Sequence, residues 1–403
     1  MKRIIFLMSD TGGGHRAAAE AIRVALLTRY EVDVQLVDVF RSYSPFPWKY
    51  MPEFYPWLVN HSKSSWGMGY KLLDTTHSAK TAARGMYLTM ESRLKQMIRE
   101  NPADAIVSVH SILTRPSMHA LLAAPKRPPF VVVVTDLVTT PMFWYDRRAD
   151  KTFVPTQTAF DRGLKAGLLP DQMRVTGLPV NPHFIKSLPD KLEARASLGW
   201  DPTLPTILIV GGGDGMGPIY KNAQAIDALR LPCQLAVIAG RNHQLKRQLE
   251  ETHWNQPTHI YSFVKDMPRL MAASDVLVTK AGPSTICEAC IAGLPMILYD
   301  AIPGQEDGNV TFVVENGAGA FCPSPYEVAD TVAEWLNGGQ RHLHQLSRNA
   351  KRIARPDAVW EIADELWRVA HLGQIQNPRR NFLKELQEDM ADLARQLTSS
   401  TGS

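Results

Sequence analysis

No apolar run in this chain approaches the roughly 20 residues that a transmembrane helix needs. The run Ile4–Met8 near the N-terminus stops short of the roughly 7–15 residues of a signal-peptide core. The expectation is a cytosolic chain whose membrane contact is peripheral. Cysteine is scarce: Cys233, Cys287, Cys290 and Cys322 are too few and too scattered for a disulfide framework. Cys287 and Cys290 form a C-x-x-C, but no second pair completes a zinc site, so their spacing reads as one buried helix face. Net charge is only +4 over 403 residues, too little to imply a nucleic-acid partner. The glycine loops have no cluster of Asp and His at metal spacing beside them, so neither metal nor cofactor is expected.

What the chain does have is alternation. Ile4–Met8 reads as a strand, then come a glycine turn, a helix from about His15 to Arg29, and a second strand at Val32–Val39. Ala105–Val109, Val131–Thr135, Thr152–Val154 and Met173–Thr176 read as further strands of a buried parallel sheet. Proline crowds residues 177–206 (Pro179, Pro182, Pro189, Pro202, Pro205) and marks a linker. Beyond it the grammar repeats, with strands at Thr206–Val210, Leu235–Ala239, Ile260–Phe263, Val276–Thr279 and Met296–Tyr299. Two successive βαβ arrays, each opening with strand, glycine loop and helix, predict an α/β protein. Its two Rossmann-like domains should face each other across a cleft. The expected boundaries are 1–183, 184–357 and a C-terminal piece, 358–403, returning toward the first domain. That piece ends, after Asn377, in an amphipathic helix and a disordered tail.

Three stretches carry chemistry. The first is Ser9-Asp10-Thr11-Gly12-Gly13-Gly14-His15-Arg16, at the end of the first strand. Its glycines admit a ligand close to the backbone, and the following helix aims N–H groups at an anion. Read as G-x-G-x-x-A (Gly12, Gly14, Ala17), with Asp38 ending the second strand, it is also a degenerate dinucleotide fingerprint. An imidazole has little use in that turn, whereas a transferase that deprotonates a hydroxyl needs one. His15 is therefore either that base or a plain first-turn residue. The second stretch, Lys280-Ala281-Gly282-Pro283-Ser284-Thr285-Ile286-Cys287-Glu288-Ala289, follows a strand and suits a phosphate at a helix start. Glu288 is either the partner of Thr285 in a capping box or a carboxylate that takes a ribose diol. The third, Pro303-Gly304-Gln305-Glu306-Asp307-Gly308-Asn309, is a polar loop suited to many hydroxyls.

The blocks Ser9–Ala21, Val133–Leu137, Gly177–Phe184, Gly211–Gly217, Val237–Asn242, Thr279–Ala289, Ile297–Gly308 and Ala354–Val359 together resemble the monogalactosyldiacylglycerol synthases. These are relatives of the peptidoglycan N-acetylglucosaminyltransferase that acts on a lipid-linked precursor. The resemblance covers residues 1 to about 370. It implies a GT-B fold and an inverting transferase that moves hexose from UDP-galactose or UDP-glucose to diacylglycerol. It implies His15 as base, Phe263 and Val264 against uracil, and Glu288 on the ribose. Gly282, Ser284 and Thr285 would meet the pyrophosphate, Gly212 and Gly213 would keep a glycine loop near it, and Gln305 and Glu306 would hold the hexose. Gly13, Gly14 and Asp136 fall on the acceptor side. Two positions depart from the family pattern: Asn181 stands where relatives carry Arg, and Asp214 where they carry Glu. The first turn, SDTGGGH, favours galactose as donor over the glucose of the Gram-positive enzymes.

Residues 41–100 hold nine Lys/Arg against four acids, an excess larger than that of the whole chain. They also hold Trp48, Tyr50, Phe54, Tyr55, Trp57, Trp66 and Tyr70. With Lys63, Trp48 and Trp57 would dock the enzyme on anionic lipid at the inner face of the plasma membrane; alternatively, these aromatics pack beneath a long loop. Rival functions are transfer to another lipid acceptor, a dinucleotide-dependent oxidoreductase, and a sugar-binding protein without turnover.

Overall fold

The computed structural model describes residues 1–11, 13–54, 67 and 74–377. Trp57, Lys63 and the helix expected after Asn377 lie outside them. Strand β1 (Lys2–Met8) sends Ile4, Phe6 and Met8 into one buried cluster and Ile5 and Leu7 into another. A strand apolar on both faces demands a helical layer on each. Helix α1 (Gly13–Arg29) covers the first face; α2 (Thr76–Glu100) and α3 (Ser111–Leu121) cover the second. Strands β2 (Val32–Asp38), β3 (Ala105–Ser108), β5 (Phe130–Val133), β6 (Lys151–Val154) and β7 (Met173–Val175) complete a parallel six-stranded sheet of order β2-β1-β3-β5-β6-β7. A two-residue strand, β4 (Lys126–Arg127), stands apart from it.

The proline-rich linker is not a continuous break. It holds two short helices, α4 (Pro182–Lys186) and α5 (Lys191–Leu198). Pro182 takes the first helical position of α4, where its missing N–H is harmless. Strands β8 (Thr206–Val210), β9 (Gln234–Ile238), β10 (Thr258–Tyr261), β11 (Val276–Lys280), β12 (Met296–Asp300) and β13 (Gly319–Phe321) form the second parallel sheet, ordered β10-β9-β8-β11-β12-β13. β10 ends two residues before Phe263, so the strand expected at Ile260–Phe263 is shifted and Phe263 lies in the loop. β13 was not expected; glycine at its start and only three residues of length hide it. Helices α6 (Pro283–Ala292) and α7 (Asp307–Glu315) follow β11 and β12. Helix α8 (Ala358–Val369) crosses back, placing Val359, Ile362 and Leu366 against Ile22 and Leu26 of α1. Strand β14 (Ile375–Gln376) then pairs antiparallel with β4.

The topology fixes where ligands bind. Strand order reverses between β8 and β11 in the second sheet and between β1 and β3 in the first. The crevice outside the carboxyl ends of strands at such a reversal is the binding place of open α/β sheets.

Candidate active site

Each reversal carries a glycine turn, and the two turns face each other. A Cβ built on Gly14 would stand 3.9 Å from the Ser284 hydroxyl of the opposite domain. The Gly308 N–H donates to Thr139 Oγ1 at 3.1 Å, and Leu137 packs into the second domain's core, so both elements meet at the cleft. Gly13 is exposed, with nothing near its Cβ position.

His15 is half-buried in the first turn of α1. Its Nδ1 lies 2.8 Å from Thr135 Oγ1, and that hydroxyl donates onward to the Val109 carbonyl at 3.4 Å. The hydroxyl has one proton and spends it on the carbonyl, so it accepts from Nδ1–H. In that arrangement Nε2 keeps its lone pair. Burial pushes the His15 pKa down to about 4, so the ring is neutral at physiological pH. His110, which follows β3, lies with its ring centroid 4.4 Å from that of His15. It is buried, bonded through Nε2 to Thr11 Oγ1 at 2.6 Å, and held well below the usual histidine range by burial and by His15. Sequence reasoning missed it, although a histidine directly after a parallel strand at the reversal point was the available signal.

Asp136 is a buried carboxylate beside this pair. Its Oδ2 accepts from the Trp144 indole at 2.6 Å, and the Trp144 ring lies 6.2 Å from that of His15. Burial and the nearby Glu306 carboxylate raise its pKa to about 6, against hydrogen bonds from Trp144 and from Gln305 across the cleft. Asp136, Gln305 and Glu306 thus converge from two domains.

The helix α6 starts at Gly282, with Pro283 at its first position and no side-chain cap. The capping box, the alternative role for Thr285 and Glu288, is therefore absent, because proline sets the helix start two residues before Thr285. Glu288 is half-buried, has no hydrogen-bond or ion-pair partner among the described residues, and is raised to about 7 by burial. Ser284 and Thr285 stand half-buried in the first turn of the helix. Glu306 accepts from the Ile302 N–H at 2.9 Å, and Asn309 donates to the Ala281 carbonyl at 2.9 Å. Asn309, the last residue of the polar loop read from sequence, ties that loop to the helix-start loop. The other glycine loop is close-packed backbone. Gly212 and Gly215 have φ of +73° and +60°, and a Cβ on Gly215 would fall 2.0 Å from the Ala239 carbonyl. Gly213 faces Arg241 and Phe263, whose ring carries the Arg241 guanidinium at 4.2 Å; Asp214 pairs with the same arginine at 3.3 Å. Val264 packs against the second core.

Three positions singled out in the sequence find their roles. Asn181, which stands where relatives carry Arg, caps α4: its carboxamide oxygen accepts from His183 N–H at 2.8 Å. Asp38 is not poised for a ribose, since it accepts from Ser9 and from the Arg41 N–H. Trp48 points inward, packing on the first core and donating to Thr89 at 2.9 Å, while Phe46, Tyr50 and Phe54 are exposed rings among the described residues of that segment.

The comparisons agree with this geometry. Residues 15–180 match the family model of monogalactosyldiacylglycerol (MGDG) synthase, and 206–360 match that of the glycosyltransferase family 28 C-terminal domain. A probable monogalactosyldiacylglycerol synthase of Glycine max is 41% identical over 91% of this chain and 71% of its own length. The chain belongs to the monogalactosyldiacylglycerol synthase family. The synthase of Spinacia oleracea is 40% identical over 91% of this chain and 72% of its own. Among solved structures, MurG of Acinetobacter baumannii superposes with TM-score 0.60 at 14% identity, covering 91% of this chain and all of the other. WaaG, a glycosyltransferase involved in lipopolysaccharide biosynthesis, gives 0.54 at 14% identity, with 92% and 100% covered. These likenesses establish the GT-B fold. This MGDG synthase-family chain is a UDP-sugar-dependent hexosyltransferase. The expected location, the inner face of the plasma membrane, is corrected: the plant relatives are named as chloroplastic proteins.

Proposed function

We propose that this chain transfers galactose from UDP-galactose to the free hydroxyl of diacylglycerol, inverting the anomeric configuration to give a β-galactosyl lipid. The observation that carries this reading is the placement of His15, held through Nδ1 at 2.8 Å from Thr135 Oγ1, on a turn facing the helix start at Ser284. The acceptor hydroxyl gives its proton to Nε2 as its oxygen attacks the anomeric carbon. The bond from that carbon to the β-phosphate oxygen breaks, and its electron pair leaves with UDP. The N-terminal N–H groups of α6 take up part of this charge. A general base contributes about 10²–10⁴-fold, so holding the two substrates in line supplies the larger share. Glu288 holds the ribose diol, and Gln305 with Glu306 and Asp136 reads the hexose hydroxyls.

The acceptor is a membrane lipid, and exposed Phe46, Tyr50 and Phe54 beside Arg41 and Lys49 offer rings and cations to an anionic surface. No metal takes part in this mechanism; full activity is expected in excess EDTA, and loss of activity restored by Mn²⁺ or Mg²⁺ would contradict it. The deciding assay incubates the protein with UDP-galactose or UDP-glucose and diacylglycerol vesicles and analyses the lipids. A β-galactosyl product from the first donor supports the reading. A product from UDP-glucose alone replaces galactose with glucose, and no glycolipid from either donor rejects diacylglycerol as acceptor.

A further inference from the structure

The mechanism above leaves one charge unanswered. As the glycosidic bond breaks, the diphosphate gains negative charge, and backbone N–H groups supply only partial charges against it. Position 181 offers no cation, being an asparagine spent on a helix cap, and Arg241 lies in an exposed pair with Asp214 and stacks on Phe263. Lys280 is the exception. It is the last residue of β11, where the register against β12 slips between Thr279 and Lys280. Its Cε lies 3.8 Å from the Cβ position of Gly212 and, equally, 3.8 Å from that of Gly282. The aliphatic stem therefore lies between the two glycine turns that flank the strand-order reversal, beside the start of α6. Neither turn has a side chain of its own at that point to screen the ammonium group. Lys280 is half-buried; its carbonyl accepts from the Gly282 N–H at 2.8 Å, and no hydrogen bond or ion pair engages its ammonium group among the described residues.

We propose that Lys280 is a catalytic residue that binds the donor's diphosphate and neutralises the charge developing on departing UDP. The inference rests on the UDP-sugar reading and adds to it a named charge at the leaving group. A lysine ammonium is a compact point charge that suits a diphosphate whose charge shifts between oxygens during departure. Slippage at the end of β11 has a purpose in this account, since it lets the last side chain reach the crevice.

The test is calorimetric titration of the full chain with UDP, UMP and uridine, for wild type, Lys280→Met and Lys280→Arg. A charge-assisted contact to phosphate predicts that Lys280→Met weakens UDP binding by about 10–100-fold. UMP should lose less, and uridine should bind all three proteins alike, which also shows that the variants are folded. Lys280→Arg should restore most of the UDP affinity, and turnover should fall in Lys280→Met even at saturating donor. UDP binding within twofold of wild type in Lys280→Met overturns the proposal. Equal losses for uridine and UDP also overturn it, because they mark a structural role. A wild-type protein that binds no uridine nucleotide would overturn the donor reading itself, and this inference with it.

Discussion

The two glycine turns of this molecule begin alike and end differently. Each follows the first strand of its sheet and leads into a helix, yet the turn after β1 presents a side chain whereas the loop after β8 presents backbone. In the first, Gly13 is already helical and touches nothing with its Cβ position, and the turn serves to aim His15 at Thr135. In the second, Gly212, Gly215 and Gly217 all take positive φ, and Gly215 presses on the Ala239 carbonyl. In the proposed mechanism one turn delivers a base to the acceptor, and the other makes room for a diphosphate. Similar sequence grammar thus serves two physical purposes, and substitutions can separate them.

The largest expected effect is at the side chain. His15→Ala should lower turnover by about 10²–10⁴-fold while leaving UDP affinity within a few fold. Titration with UDP alongside steady-state kinetics checks both halves, and near-normal turnover would remove His15 from the mechanism. Glu288→Gln comes next and probes the backbone side. With the capping box absent, the change should leave the melting temperature nearly unmoved and raise KM for the UDP-sugar by about 10-fold, as loss of a charged hydrogen bond would. A lower melting temperature with unchanged KM would return Glu288 to a structural role.

How much of this was legible in the sequence depends on the distance over which each feature is determined. The strands that were expected came out within a residue or two because burial on both faces writes itself as a β-branched run, as at Phe130–Val133. Helix starts depend on which residue becomes the cap, and at Gly282-Pro283 the proline outweighs the Thr285/Glu288 pattern. The features missed are contacts between segments far apart: Asp136 with Gln305, Asn309 with Ala281, and His110 beside His15. Periodicity tells which face of an element is buried; it does not name the partner. Trp48 shows the same limit, since an aromatic among prolines reads equally as membrane anchor or as core.

Asp136 allows a test in pH. Glu288, at about 7, acts on donor binding, so kcat at saturating UDP-sugar isolates the other two groups: the pKa of Asp136, about 6, lies above that of His15, about 4, and the first acidic limb of kcat should belong to Asp136. If its ionised form is needed to hold Gln305, kcat falls about tenfold per pH unit below about pH 6. Asp136→Asn should have a lower plateau, and its acidic limb should move toward about pH 4. The stability effect has its own sign. A carboxyl whose folded pKa is raised binds its proton more tightly in the folded chain, so stability is lost as pH rises through about 4 to 6. Relative to wild type, Asp136→Asn should therefore melt higher at pH 7.5 than at pH 4. An acidic limb unchanged by the substitution would assign it to another group.

The smallest effect is the sharpest probe of the comparison, and it needs only one methyl group placed in each turn. Gly13→Ala adds a Cβ at a helical position with nothing within 4 Å, so no atom has to move. Alanine is the better helix former by about 1 kcal/mol, and the melting temperature should rise slightly with activity within twofold of wild type. Gly215→Ala adds the same methyl group at φ +60° and 2.0 Å from a carbonyl oxygen. The loop must shift there, at about 1–3 kcal/mol for the strained conformation alone, and UDP affinity should fall with it. Measured together by thermal melting and UDP titration, the pair isolates backbone geometry from side-chain chemistry. Should Gly13→Ala abolish activity, the first turn would also depend on close backbone approach to a ligand, and the distinction between the two turns would be lost.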